Sequence, residues 1–275
     1  MNEAGSRYPV QKRQAVLLRY CHGIHSVRFR ARGDSSRSMA RGGYAAVVPL
    51  AAVEQHGPHL PVGTDRMICR EVCYRSAERA VARGAKLLLA PTLAVGCSEH
   101  HLAFGGTLSF TSGTYWRMLT DIGESLVKDG FRKIIFLNGH GGNEPMMHQA
   151  AQDLAVRHPV WTAAASYWSI ARSALEAAGA PELGRVPGHA GGFERSLVLA
   201  ISPELVKRER MPSSHVERHW IAAGPAGTFV GRHGELTGVS GYTDAADRAS
   251  AEKGRLYLDA VTVSVGDCCT TCMSR

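Results

Sequence analysis

The 275-residue sequence contains no continuous run of about 18 apolar residues, the length a helix needs to cross a bilayer. No membrane-spanning helix is therefore expected. The N-terminal segment lacks the unbroken apolar stretch and small-residue cleavage site of a secretory signal, so the expected compartment is the cytoplasm. Seven cysteines make an odd count, and Cys268, Cys269 and Cys272 crowd the C-terminus without a Cys/His pair at zinc-site spacing. No secreted disulfide framework is legible, which suits a reducing environment. Neither G-x-G-x-x-G nor G-x-x-x-x-G-K-[ST] follows a strand, which argues against a nucleotide site built on the glycine loops.

Charge is absent from most of the chain in net terms. The formal charge is +8, but within residues 1–43 nine basic residues, from Arg7 to Arg41, face only Glu3 and Asp34. The body is electrostatically ordinary, so no nucleic-acid partner and no membrane surface is expected for it. Residues 1–40 read as a basic, disordered extension and 266–275 as a frayed Cys-containing tail. Residues 41–265 are expected to form one domain, since 44% hydrophobic content supports a sizeable core and no linker divides the middle.

Apolar runs alternate with helix-period segments through that domain. Strands are predicted at Tyr44–Leu50, Lys86–Ala90, Arg132–Leu137 and Val160–Ser166. Helices are predicted over Thr64–Arg83, Thr114–Lys128, Glu144–Arg157, Glu194–Ala200 and Asp247–Ala260. This alternation implies an α/β fold with a parallel or mostly parallel sheet covered on both faces. Chemistry in such sheets collects in loops at the carboxyl ends of strands.

Two of those loops carry metal-type side chains. Glu54-Gln-His-Gly-Pro-His-Leu-Pro-Val-Gly-Thr-Asp65 follows the first strand, and Asn138-Gly-His-Gly-Gly-Asn143 follows the third. If the two strands are neighbours, Glu54, His56, His59, Asp65 and His140 converge. Imidazole nitrogens and carboxylate oxygens suit zinc, manganese or ferrous iron. A lone histidine at a strand end is commonly structural, so the convergence carries the inference. Gly96–Thr107 adds Glu99, His100 and His101. Gly188–Ser196 adds His189 and Glu194, for which loop capping and a helix-dipole carboxylate are the bland alternatives.

These segments resemble the creatininase (creatinine amidohydrolase) family: E-Q-H-G-P-H-L-P-x-G-T-D, S-x-x-H-x-x-F-x-G-T at Ser98–Thr107, N-G-H-G-G-N and H-A-G-x-F-E-x-S occur in the family's order. A weaker match runs from Gly238 to Gly254, and the likeness covers roughly residues 40–262. The resemblance implies a three-layer α/β/α fold, a homo-oligomer that is often a hexamer, a small-molecule substrate and two divalent metals. It implies that Glu54 and His140 bind one metal, His56 the other, and that Asp65 bridges them. It further implies proton transfer by His189 and an aromatic cover from Trp168.

Two positions depart from the family pattern. Gly142 stands where the family has a glutamate for the second metal, with Glu194 the candidate substitute. Arg185 stands where a second tryptophan is expected, which leaves a creatinine pocket incomplete. The expected activity is hydrolysis of a C–N bond in a cyclic amide, amide or formamide by metal-activated water. Trimming of a short peptide in redox-cofactor assembly, or opening of a keto-sugar ring, are alternatives within the family. A non-catalytic metal- or ligand-binding protein of the same fold is the alternative of another class, favoured by Gly142.

Overall fold

A computed structural model describes residues 25–26, 34–211, 228, 230 and 241–273. Most of the basic N-terminal segment, the start of the late motif at 238–240, and residues 274–275 lie outside the described residues. Strands β1 (His25–Ser26), β2 (Ala45–Leu50), β3 (Leu87–Leu89), β4 (Lys133–Asn138) and β5 (Trp161–Ser166) form one sheet in the order β1-β3-β2-β4-β5. Every pairing in it is parallel. All four strands expected from the apolar runs are present.

The strands divide their side chains between two cores, as the two-residue period requires. Val47, Leu87, Leu89, Ile135 and Leu137 enter one apolar cluster. Their sequence neighbours Ala46, Val48, Leu50, Leu88, Ile134 and Phe136 enter the other. Helices cover both clusters, which makes the three-layer arrangement. Helices α1 (Asp34–Arg41), α3 (Ser112–Asp129) and α4 (Glu144–Arg157) pack on the second cluster, through residues such as Met39, Tyr115, Leu119 and Leu154. The first cluster is covered by α2 (Thr64–Ala82), the short α5 (Tyr167–Ile170) and α6 (Arg172–Ala177), α7 (Gly192–Ile201) and α8 (Ala251–Met273).

Both termini correct the expected boundaries. Residues 34–40 belong to the fold: α1 buries Met39 and Ala40, and Ser36 donates a 2.6 Å hydrogen bond to Asp129 Oδ2. The surrounding arginines had hidden this short amphipathic element. The frayed tail is likewise replaced by helix, because α8 continues to Met273. A buried stripe of Tyr257, Val261, Val265 and Cys269, four residues apart, carries it past residue 266. Its start is Ala251 rather than Asp247, where the Ser250 hydroxyl accepts from the Lys253 N–H in the manner of an N-cap. α8 lies so close to α7 that a Cβ on Gly254 would stand 1.8 Å from the Ser196 carbonyl oxygen.

Candidate metal centre

Register brings the chemistry to one edge of the sheet. Leu50 pairs with Asn138, and Asn138 with Ser166, so β2, β4 and β5 end level. The loops after β2 and β4 therefore begin side by side, and α2 starts at Thr64 with Asp65 in its first turn. Asn143, fully buried, ties three loops together: its Oδ1 accepts from the Cys97 N–H at 3.0 Å, and its Nδ2 donates to Ala51 O and Asn138 Oδ1. Asn138 in turn donates to His140 O at 2.6 Å and accepts the His140 N–H.

The expected residues do meet. His140 Nδ1 lies 3.3 Å from Glu54 Oε1 and 3.2 Å from Asp65 Oδ2. His56 Nε2 lies 3.1 Å from Asp65 Oδ1 and 3.6 Å from Glu194 Oε2. His189 Nδ1 lies 3.4 Å from Glu54 Oε1. Asp65 thus stands between two sets of donors. His59 does not join them: it packs edge-on to Tyr242 at 6.5 Å, and burial with Arg195 nearby lowers its pKa to about 4.

The far nitrogen of each ring fixes which nitrogen faces the centre. His140 Nε2 donates to Cys97 O at 2.9 Å, and His56 Nδ1 to Glu54 O at 3.1 Å, leaving the inward nitrogens with free lone pairs when the rings are neutral. His189 Nε2 donates to Gln55 O at 2.8 Å and presents Nδ1 inward. Gln55, which sequence reading passed over, is held by Gly57 N–H on its Oε1 and donates from Nε2 to His101 Nδ1 at 2.8 Å. That bond leaves the hydrogen of His101 on Nε2, 3.4 Å from Glu54 Oε1.

The electrostatics call for added positive charge. Both oxygens of Glu54 and Oδ2 of Asp65 are buried without a hydrogen-bond donor in satisfactory geometry. Burial opposes charge on Glu54 and Asp65, yet the adjacent histidines hold both carboxyls below the usual range. Burial likewise opposes charge on His56 and His140, but Asp65 and Glu194 around the first and Glu54 and Asp65 around the second raise both well above normal. Burial, reinforced by His56 and His101, pushes His189 well below the usual value and keeps it neutral. Buried carboxylates without full pairing are costly unless a cation completes them. Donor atoms of His56, Asp65 and Glu194 lie within 4.8 Å of one another, as do those of Glu54, His100 and His140. Both sets are nitrogen and oxygen donors suited to borderline divalent ions, so the residues present fit such a group.

A cavity of about 940 Å³ opens over this cluster. Glu54, Asp65, His140, His189 and Glu194 line it, while Trp168 and Arg185 form part of its wall. Trp168 is buried, braced edge-on by Tyr167 at 4.9 Å. Glu194 serves both readings, since Oε2 also accepts the Ala190 N–H at 2.6 Å at the entrance to α7. The late motif has its use here too: Thr243 Oγ1 accepts the His189 N–H at 2.7 Å and donates to Asp244 Oδ2, fixing the His189 loop. Sequence reading missed Gln55, Thr243 and Asp244, whose signal lay only in motif membership.

Known proteins resemble the chain in sequence and fold. A mycofactocin precursor peptide peptidase of Mycobacterium ulcerans is 34% identical over 62% of this chain and 63% of its own length. The chain therefore spans less than two thirds of that relative. A creatinine amidohydrolase of Pseudomonas putida is 30% identical over 83% of this chain and 90% of its own. Among solved structures, creatininase Mn superposes with a TM-score of 0.73 at 27% identity, covering 89% of this chain and 97% of that one. A creatinine amidohydrolase family model matches residues 34–269, and on that match the chain belongs to the creatininase family.

Proposed function

We propose that the chain is a divalent-metal-dependent hydrolase that cleaves a C–N bond in a small amide-like substrate. The observation that carries this reading is the set of buried, under-partnered carboxylate oxygens on Glu54 and Asp65, faced by imidazole nitrogens at the floor of an open cavity. His56, Asp65 and Glu194 would hold one ion, and Glu54, His140 and a share of Asp65 the other. Ions bound there would supply Lewis acidity and a water acidified towards neutral pH. Creatininase relatives are known in Mn and Zn-Zn forms, which supports those metals for this chain.

The chain's own residues do the rest. His189, neutral and with Nδ1 turned inward, is placed to take a proton and return it to the departing nitrogen, a poor leaving group until protonated. Gln55 O fixes that ring through Nε2, so the transfer runs through Nδ1. Trp168 excludes water from one wall and stacks a planar group. The peptidase and creatinine amidohydrolase relatives support amide-type bonds as the target. Arg185 on the cavity wall favours a substrate with an anionic group over creatinine itself.

The test is a turnover screen on metal-stripped protein, with Zn²⁺, Mn²⁺ or Fe²⁺ added back, over cyclic amides, formamides and short peptides. Activity restored only by metal supports the hydrolase. A protein that binds no metal and turns nothing over is instead a binding protein of this fold. We further propose a homo-oligomer, supported by the exposed Trp161 on edge strand β5, and a mass by light scattering above one chain checks it.

A further inference from the structure

Glu54, His140 and a share of Asp65 leave the outer ion room for one further donor, which is the least obvious feature of the cluster. Residue 142, where the family carries the glutamate of the other ion, offers none to either. A Cβ on Gly142 would stand 2.1 Å from Cys97 O and 2.6 Å from His140 Nε2, so the space a side chain would need there is already filled. That same carbonyl holds His140 in its ligand-ready orientation. The loop thus gains a fixed His140 at the expense of any ligand from position 142.

The segment packed across that loop fills the role. Residues Glu99–Phe104 form a short 3₁₀ turn carrying His100 and His101. His101 is committed elsewhere: Gln55 occupies its Nδ1, and its Nε2 bears the hydrogen facing Glu54. His100 is the one whose ring nitrogen falls within 4.8 Å of both Glu54 and His140 donor atoms. Its ring lies parallel to that of His140, with centroids 6.1 Å apart and planes 6° from each other. It lines the cavity and is only partly buried. Two nitrogens on one zinc are separated by at most about 4.2 Å, so a movement of about an ångström or less would seat His100.

We propose that His100 is a ligand of the outer ion, completing a Glu54–His100–His140 set, and that it makes this ion the more exchangeable of the two. The proposal rests on the metal-hydrolase reading and adds to it a residue outside the expected ligand set. His100 lines the cavity and is only partly buried, so it can leave the ion as substrate arrives more readily than the fully enclosed donors.

Metal content and Co²⁺ absorption of the purified full chain test it, using wild type, His100→Ala and His100→Gln, each checked for an unchanged melting temperature without metal. The wild type should retain two ions per chain after dialysis. Both variants should retain one, with the outer ion weakened at least about tenfold in chelator competition. Their Co²⁺ visible band should also change with the loss of one imidazole. Two ions held at wild-type affinity in both variants, with an unchanged Co²⁺ spectrum, would overturn the His100 assignment and leave the hydrolase reading intact. A wild type that binds no divalent ion would overturn both.

Discussion

The inner donors, His56, Asp65 and Glu194, are all buried and held by core elements, while among the outer donors Glu54 and His140 are equally buried and His100 is only partly so; all of them but His56 line the cavity. Inner geometry comes from the loop after β2 and the first turns of α2 and α7, both packed into the larger apolar cluster. Outer geometry comes from two loops held together by Asn143 and the Cys97 carbonyl. In the proposed centre, one fold could hold a metal pair and still vary what that pair does. One half is set by packing that tolerates little change, and the other by contacts between loops that can be rewritten.

The largest effect should follow from the residue common to both halves. Asp65→Asn should abolish retention of both ions and reduce turnover about a thousandfold or more, the several kcal/mol that Lewis-acid catalysis supplies. Retention of two ions would break the comparison at its centre. His189→Ala should lower turnover about 10²- to 10⁴-fold yet keep both ions, separating proton transfer from metal holding.

Glu194→Gln should cost the inner ion at least about tenfold in affinity with little change in stability, since an amide oxygen can still accept the Ala190 N–H. A large loss of stability with normal metal content would make Glu194 a structural cap instead. Apparent affinity for both ions should rise with pH. The carboxylates raise His56 and His140, so protons occupy the inward nitrogens at low pH and must leave before a cation binds. Calorimetry in buffers of different ionisation enthalpy would show that release. Asn143→Ala should mainly lower stability, by about 1–3 kcal/mol in denaturant titration, because it strands the buried Cys97 N–H.

Much of this molecule was legible in the residues alone, for identifiable reasons. β2 and β4 are interior strands with mainly apolar runs, and α4 begins and ends where its period does. The site loops announced themselves by metal-type side chains set in glycine and proline. The termini did not. Arginines masked α1, and the small residues of α8 masked a stripe that emerges only once α2 and α7 give it something to cover. Gln55, Thr243 and Asp244 also escaped, because their work is done through contacts between segments far apart in sequence. His100 and His101 illustrate the same limit: adjacent in the chain and alike in type, they differ in burial and ring contacts, and Gln55 reaches His101.

Titration of metal-stripped protein with Zn²⁺ or Mn²⁺ by calorimetry, alongside Glu54→Gln, measures the central property directly. Two equivalents bound per wild-type chain, with protons released and one equivalent lost or greatly weakened in the variant, is the expected result. A folded wild-type chain that takes up no divalent ion would contradict the metal centre and the chemistry assigned to it.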